Sequence, residues 1–170
     1  VEALISTLID YGTLVPSDEG WDFDPDGAST VPPSIRRLIL SRLRLLTPVD
    51  RRVIDLIAVM GDATSHPVLR AASGLAEDDL IEALRRLRAA RLVSETVHGS
   101  DLTYSITHPL TQEVCYDELP EAARRRAHLA AIAALHRLKP DDVSRLARHY
   151  RAAGPEANPD EALAVLVSAG

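Results

Sequence analysis

Apolar residues recur every third or fourth position in the first eleven residues and along most of the chain from residue 34 onward, which is the period of an amphipathic helix. The pattern predicts helices over Val1–Tyr11, Ser34–Leu46, Val49–Met60, His66–Ser73, Leu75–Arg91, Glu121–Leu138, Asp142–Ala153 and Asp160–Ser168. On two of these helices we expect Leu38 and Ile81 to belong to the buried face. The fold class is therefore mainly α.

Short strand-like runs interrupt the helical pattern at two places. Leu92–Val97 and Leu102–Ile106 flank a turn at His98–Asp101, and Leu14–Val15 can pair with Trp21–Phe23 in a second small hairpin. The larger hairpin comes directly after three consecutive helices. Helix, helix, helix, hairpin is the order of a winged-helix domain, which we place at residues 47–119.

A short helix is predicted to begin at Thr107-His108-Pro109, directly after the hairpin. Proline is favoured at the first helical position, so His108 is the predicted N-cap residue. Unpaired N–H groups at a helix N-terminus attract anions, and an imidazole there could contact a phosphate. A plain capping role for His108 remains the alternative.

Charge is distributed unevenly along the sequence. Its net value is −6, and the first 35 residues contain seven acids without any Lys or Arg. Eighteen of the 19 basic residues are Arg, a bias for which a GC-rich genome is a better explanation than a function. No basic stretch marks a nucleic-acid binder. Without a long apolar segment or a signal peptide, the expected location is the cytoplasm.

Few residues are arranged for catalysis or for metal binding. The only lysine is Lys139, so the Gly-Lys-Ser/Thr of a phosphate-binding loop does not occur. The six His are dispersed in the sequence, and no metal ligands are predicted. Cys115 follows His108 by seven residues, but we expect it to be a buried helical cysteine rather than a nucleophile. We predict that this segment is not an enzyme.

DNA binding is the main alternative function, with Leu75–Arg91 as the recognition helix. Its outward face carries three acids and two bases, namely Asp78, Asp79, Glu82, Arg85 and Arg86. Glu82 can form ion pairs with both arginines. If this helix entered a DNA groove, little positive charge would remain to offset the repulsion between its acids and the phosphates. We therefore expect a solvated or protein-facing surface. The run Arg124–Arg126 is likewise expected to be solvated, or to contact an acidic partner.

The last three predicted helices are spaced like an α-solenoid repeat of about 34 residues. One such unit cannot bury its own face. Together with a first helix that has no N-terminal cap, this spacing suggests a fragment of a longer protein.

Four stretches in this order resemble the regulatory part of bacterial STAND ATPases, including the large LuxR-type transcriptional regulators with an AAA-like module. They are residues 31–62, 80–93, 104–136 and 146–154. The resemblance implies the end of a helical ATPase lid at 1–46, the winged helix at 47–119 and the start of tetratricopeptide-like repeats at 120–170.

Residues Thr107-His108-Pro109-Leu110 are similar to the Met-His-Asp segment of related NLR proteins. In those proteins the histidine contacts the β-phosphate of ADP and holds the inactive state. Only His108 and Leu110 match, whereas Thr107 and Pro109 depart from Met and Asp.

The resemblance implies a switch controlled by ATP and ADP, with the nucleotide bound mainly by residues upstream of this chain. The expected partners are that nucleotide-binding module and an inducer or protein on the repeats, without direct DNA contact and without a membrane. An interaction scaffold with no nucleotide role is the other alternative.

Overall fold

The structure is a computed structural model that describes residues 14–17, 20–23, 31–61, 63–99 and 101–169. Eight helices and a small three-stranded antiparallel sheet lie in this part of the chain, so the mainly α class is confirmed. The chain forms two compact units, Val1–Leu45 and Leu46–Gly170. The predicted helix over Val1–Tyr11 lies outside the described residues.

The first unit contains a hairpin and a helix. Strands β1 (Leu14–Ser17) and β2 (Gly20–Phe23) pair antiparallel, which confirms the small hairpin. Helix α1 (Pro33–Leu43) ends three residues before the predicted boundary. Its buried residues, Ile39 and Leu43, are one turn apart, whereas Leu38 is 63% exposed. Leu38 was therefore wrongly assigned to the buried face, because it lies about 100° around the helix from Ile39.

The second unit is built around helix α2 (Pro48–Met60), which is buried on nearly all sides. Thr47 caps it by accepting a hydrogen bond at Oγ1 from the Asp50 N–H at 3.1 Å. Gly61 ends it with a φ of 79°, a conformation that favours glycine. Seven apolar residues of α2 belong to the core: Val53, Ile54, Leu56, Ile57, Ala58, Val59 and Met60. Burial of each large side chain contributes about 1.5–3 kcal/mol to stability.

Two helices and the sheet cover one part of α2. Helix α3 (His66–Ser73) follows strand β3 (Thr64–Ser65), and helix α4 (Glu77–Ala89) leads into β4 (Val93–His98) and β5 (Asp101–Ile106). The strand order is β3-β5-β4, with Val93 opposite Ile106 in the predicted hairpin. Strand β3 is too short to show a period in the sequence and was missed.

At the end of α4 the chain turns at a non-glycine residue with a positive φ. Arg91 has a φ of 54°, and the Leu92 N–H bonds to the Leu87 carbonyl at 3.0 Å, five residues back. This is the closure of a Schellman motif with arginine at the position that glycine usually occupies. Within α4 the buried positions are Leu80, Ala83, Leu84 and Leu87. Ile81 is 50% exposed, so its assignment to the buried face was wrong: the buried stripe runs through residue 83 instead.

Four more helices follow the sheet: α5 (Pro109–Asp117), α6 (Glu121–Leu138), α7 (Val143–Ala153) and α8 (Pro159–Ser168). Helix α5 packs against α2, and α6 packs against α2, α3 and α7. The helices after Leu119 thus share one compact unit with the sheet. The predicted family domains at 1–46, 47–119 and 120–170 stay predictions.

Candidate functional site

His108 lies at the junction of β5 and α5, where the sequence predicted an N-cap. Its backbone is extended, with φ −129° and ψ 131°, and Pro109 occupies the first turn of the helix. The Thr107 N–H donates to the Leu92 carbonyl at 3.0 Å, which ties this junction to the residue before β4. The backbone on which the imidazole stands is therefore held by the sheet and by the end of α4.

The His108 side chain is exposed and does not cap its own helix. It has no hydrogen bond or ion pair to another residue in the described part of the chain. The prediction of His108 as the N-cap position is confirmed, but a capping role for its side chain is not supported. The imidazole is free to contact something outside the described residues.

The N-terminus of α5 offers few backbone donors to an anion. Pro109 has no N–H, and the N–H groups of Thr111 and Gln112 bond to the His108 carbonyl at 2.9 and 3.2 Å. Leu110 supplies the first amide hydrogen after Pro109, at the positive end of the helix dipole. A phosphate at this end would rely on that amide and on the His108 imidazole.

Cys115 lies on the buried face of the same helix. Its side chain is fully buried, which confirms the expected buried cysteine. Burial, with a smaller contribution from the Asp55 carboxylate, raises the pKa of the Cys115 thiol to about 12. A thiol at neutral pH is a poor nucleophile, so a Cys–His nucleophile is not supported.

Acids neutralise the arginines on the outward face of α4. Glu82 accepts from Arg85 at 2.7 Å and from Arg86 at 2.9 Å, as the spacing predicted. Hydrogen bonds from Arg85 hold the pKa of Glu82 at about 2. Arg86 also binds Asp50 of α2 through a forked pair with a closest distance of 2.7 Å. Both guanidinium groups are thus paired with carboxylates, which reduces the positive field that this face offers to phosphates.

Asp50 is 2% exposed and sits at the start of α2. Its burial favours the neutral acid, but hydrogen bonds from Arg86 and Thr47 outweigh that effect and lower the pKa of Asp50. The Arg86–Asp50 pair connects α4 to the central helix. Arg86, which the sequence places on the outward face of α4, is thus part of a structural link between two helices, and the periodicity of one helix does not reveal such a link.

The run Arg124–Arg126 is not one uniform solvated face. Arg124 lies 4.5 Å from the centre of the Tyr116 ring and donates to the Leu119 carbonyl. Arg125 pairs with Glu121 at 2.9 Å, while Arg126 is exposed. The expectation of a shared solvated surface was therefore wrong for Arg124, because a helix points successive side chains about 100° apart.

Two histidines that are far apart in the sequence meet in the interior. The Nδ1 atoms of His128 and His149 are 2.8 Å apart, and His128 Nε2 lies 3.1 Å from the Tyr116 hydroxyl. Burial, followed by nearby positive charge, lowers the pKa of His128 to about 4 and that of His149 to about 3. Both rings are therefore neutral at pH 7, so one Nδ1 donates and the other accepts.

The two histidines are 21 residues apart, so the sequence gives no sign of this pair. His128 is on α6 and His149 is on α7, so only the register between the two helices brings them together. Among the described residues, no group of three His, Cys, Asp or Glu side chains is placed to hold a metal ion. No helix in the described part is both long and apolar enough to span a membrane.

Comparison with known proteins adds no assignment to this geometry. The sequence has no significant match to a protein-family model or to a curated protein, and the structure has none to a solved structure.

Proposed function

We propose that this chain is the regulatory winged-helix segment of a nucleotide-switched STAND ATPase that acts in transcriptional regulation or signalling. The observation that carries the proposal is the exposed His108 side chain, on a junction that directly follows the sheet and that the backbone holds in place. The resemblance to STAND regulators is the second support. Nucleotide hydrolysis belongs to a module outside this chain.

The order of elements supports the winged-helix part of the proposal. Helices α2, α3 and α4 precede the hairpin β4–β5, and β3 joins its β5 edge through the Thr64–Tyr104 register. In this proposal β4–β5 is the wing, and α4 occupies the position of the recognition helix of a DNA-binding winged-helix domain. Helix α1 belongs to the end of the lid, and α6, α7 and α8 begin the tetratricopeptide-like region.

The proposed mechanism uses the free imidazole as a phosphate sensor. In the resting protein the winged helix packs on the upstream nucleotide module, and His108 with the Leu110 N–H binds the β-phosphate of ADP. Exchange of ADP for ATP, or an inducer on the repeats, breaks this contact. The switch works only if the two states bind the nucleotides with different affinity, and the His108 contact supplies part of that difference.

The arginine pairing on α4 favours this protein-facing function over the DNA-binding alternative. Arg85 and Arg86 are both held by acids, and Asp78 and Asp79 are exposed on the same helix. A surface of this kind suits contact with another part of the same protein better than contact with phosphates. The proposed location is the cytoplasm, where ADP and ATP are available.

The test replaces His108 in the full-length protein and measures ADP release. His108→Ala and His108→Asn should both speed ADP release by about 10-fold or more and raise basal activity, since a hydrogen bond to a charged group contributes about 1.5–3 kcal/mol. Asparagine keeps a good N-cap, so it separates phosphate sensing from helix capping.

Thr107→Ala is the matched control, because Thr107 is an exposed neighbour whose backbone bond to Leu92 is retained. It should release ADP at the wild-type rate. ADP affinity and basal activity that stay unchanged in both His108 variants would refute the sensor role. Rescue by asparagine alone would reduce His108 to a capping residue.

A further inference from the structure

A cavity of about 620 Å³ lies between the first turns of α2 and the first half of α6, within the second unit. It opens beside Pro48, Arg51 and Arg52 on α2, and beside Arg126 on α6. Pockets that hold small organic ligands have volumes of about 300–1,000 Å³. The cavity is thus large enough for such a ligand.

The floor of the cavity is apolar. Leu56 and Leu119 contribute to it and are 5% and 8% exposed. Helix α6 faces the cavity with Ala123, Ala127 and Ala130, which lie on one side of the helix at intervals of four and three residues. Larger side chains at these positions would fill the space, so the small residues of α6 keep it open.

The rim of the cavity carries excess positive charge. Three arginines stand against one acid, Asp55, in a chain whose net charge is −6. Asp55 is already engaged by Arg51 at 2.8 Å, and Arg52 donates to the Ser73 carbonyl at 2.7 Å. Arg126 is exposed and forms no hydrogen bond or ion pair within the described part of the chain. One guanidinium therefore remains available above an apolar floor.

We propose that this cavity binds a small organic acid with an apolar body. Arg126 would hold the carboxylate through the two parallel hydrogen bonds that a guanidinium fork favours. The apolar body would lie on Leu56 and the alanines of α6. Inorganic phosphate would leave this floor uncovered, and a neutral apolar molecule would leave Arg126 unused.

Such a ligand would bridge α2 and α6, and thereby the helices before and after the sheet. The site does not involve His108 and does not depend on the proposed nucleotide switch. Loss of one function in an experiment would leave the other intact.

The test is a fluorescence titration of the purified chain with 8-anilinonaphthalene-1-sulfonate, an anion with an apolar body. N-phenyl-1-naphthylamine has the same ring systems without the sulfonate and serves as the neutral comparison. We expect one saturable site for the anion, at least 10-fold tighter than binding of the neutral compound. Decanoate should displace the anion in competition, whereas decanol should not.

Three variants locate the site. Arg126→Gln should weaken anion binding by about 10-fold, and Ala127→Trp should abolish it by filling the cavity. Arg125→Gln is the control, since Arg125 neighbours Arg126 on α6 but does not line the cavity. It should bind within twofold of wild type. Circular dichroism checks that Ala127→Trp is folded, and the surface variant Arg126→Gln decides the question if it is not.

Several results would overturn the proposal. They are the absence of saturable binding, equal affinity for the anionic and neutral compounds, and wild-type affinity in Arg126→Gln. An equal loss of binding in Arg125→Gln would indicate general attraction to the arginine run and would also refute the site.

Discussion

His128 and His149 share a hydrogen bond between their Nδ1 atoms across the α6–α7 interface, with both side chains buried. One proton is shared between the two Nδ1 atoms. A second proton would add a positive charge close to Arg148 and Arg124, whose own positive charges disfavour it. His149 Nε2 is buried and has no hydrogen-bond partner among the described residues, so it would not stabilise an added charge. The interface is therefore built for two neutral imidazoles.

The free energy of unfolding should fall as the pH falls from about 7 to 4. In the unfolded chain these histidines become protonated near pH 6.5. In the folded chain they stay neutral until the pH approaches their lowered pKa values of about 4 and 3. At pH 5 each ring should lower stability by about 2 kcal/mol relative to pH 7.5. Urea unfolding at several pH values measures this slope.

His149→Phe should flatten that dependence, because it removes one of the two buried imidazoles. His136→Gln is the control: His136 is an exposed histidine on α6 that bonds to the Tyr150 hydroxyl, and its replacement should leave the slope in place. A wild-type stability that is constant between pH 7.5 and 5 would contradict the prediction.

Arg86→Met should destabilise the fold, because it leaves the Asp50 carboxylate buried without its main partner. Removing one member of a buried ion pair costs about 3–5 kcal/mol. The Arg86 side chain is 37% exposed, so solvent screening should make the loss smaller than that of a fully buried pair. Chemical denaturation followed by circular dichroism measures this change.

Arg85→Met is the matched control for that experiment. It removes an arginine from the same helix whose partner, Glu82, is on the surface, so its cost should be clearly smaller than that of Arg86→Met. Equal losses in the two variants would show that the link between α4 and α2 does not stabilise the fold.

Arg91→Gly should stabilise the chain. Arg91 has a positive φ, which costs a residue with a side chain about 1–2 kcal/mol, and glycine avoids most of that cost while losing some backbone entropy. We expect a net gain of roughly 0.5–1 kcal/mol. Arg91→Ala removes the same charge without relieving the backbone and should be close to neutral. A thermal melt of both variants separates the two effects.

The chain should not bind random duplex DNA, even at low salt. A winged helix that reads DNA through α4 would lose affinity steeply as salt rises, because counterions are released by its phosphate contacts. We expect no measurable binding to random duplex DNA in 50 mM salt by fluorescence anisotropy. Tight binding that disappears by 200 mM salt would favour the DNA-binding alternative.

The apolar period of the sequence predicts most helices correctly, because the buried residues of a helix recur with that period. The boundaries of α2, α3 and α6 were close to those observed, and the helix stops at Gly61 and Gly74 were correct, since a positive φ favours glycine there. Leu38 and Ile81 depart from that prediction, because an apolar residue at the edge of the buried stripe can be either buried or exposed. Their exposure depends on which neighbours pack against the helix.

The contacts between elements were not available from sequence patterns. Arg86 and Asp50 are 36 residues apart, and His128 and His149 are 21 residues apart. Their pairing depends on how two helices are placed in three dimensions. The cavity beside Arg126 also requires that placement, since it is formed by residues of α2, α3 and α6 together with Leu119. By contrast, the position of His108 at a helix start is local and was predicted correctly.

The backbone hydrogen bond from Thr107 to Leu92 couples the position of His108 to that of α4. The Leu92 N–H in turn donates to the Leu87 carbonyl in the last turn of α4, so two successive backbone hydrogen bonds connect that helix to Thr107, the residue before His108. If a partner tilted α4, the His108 imidazole would move with the helix, because the connection between them is made by backbone hydrogen bonds and needs no side chain. Force on one surface of the molecule would thus be converted directly into displacement at another.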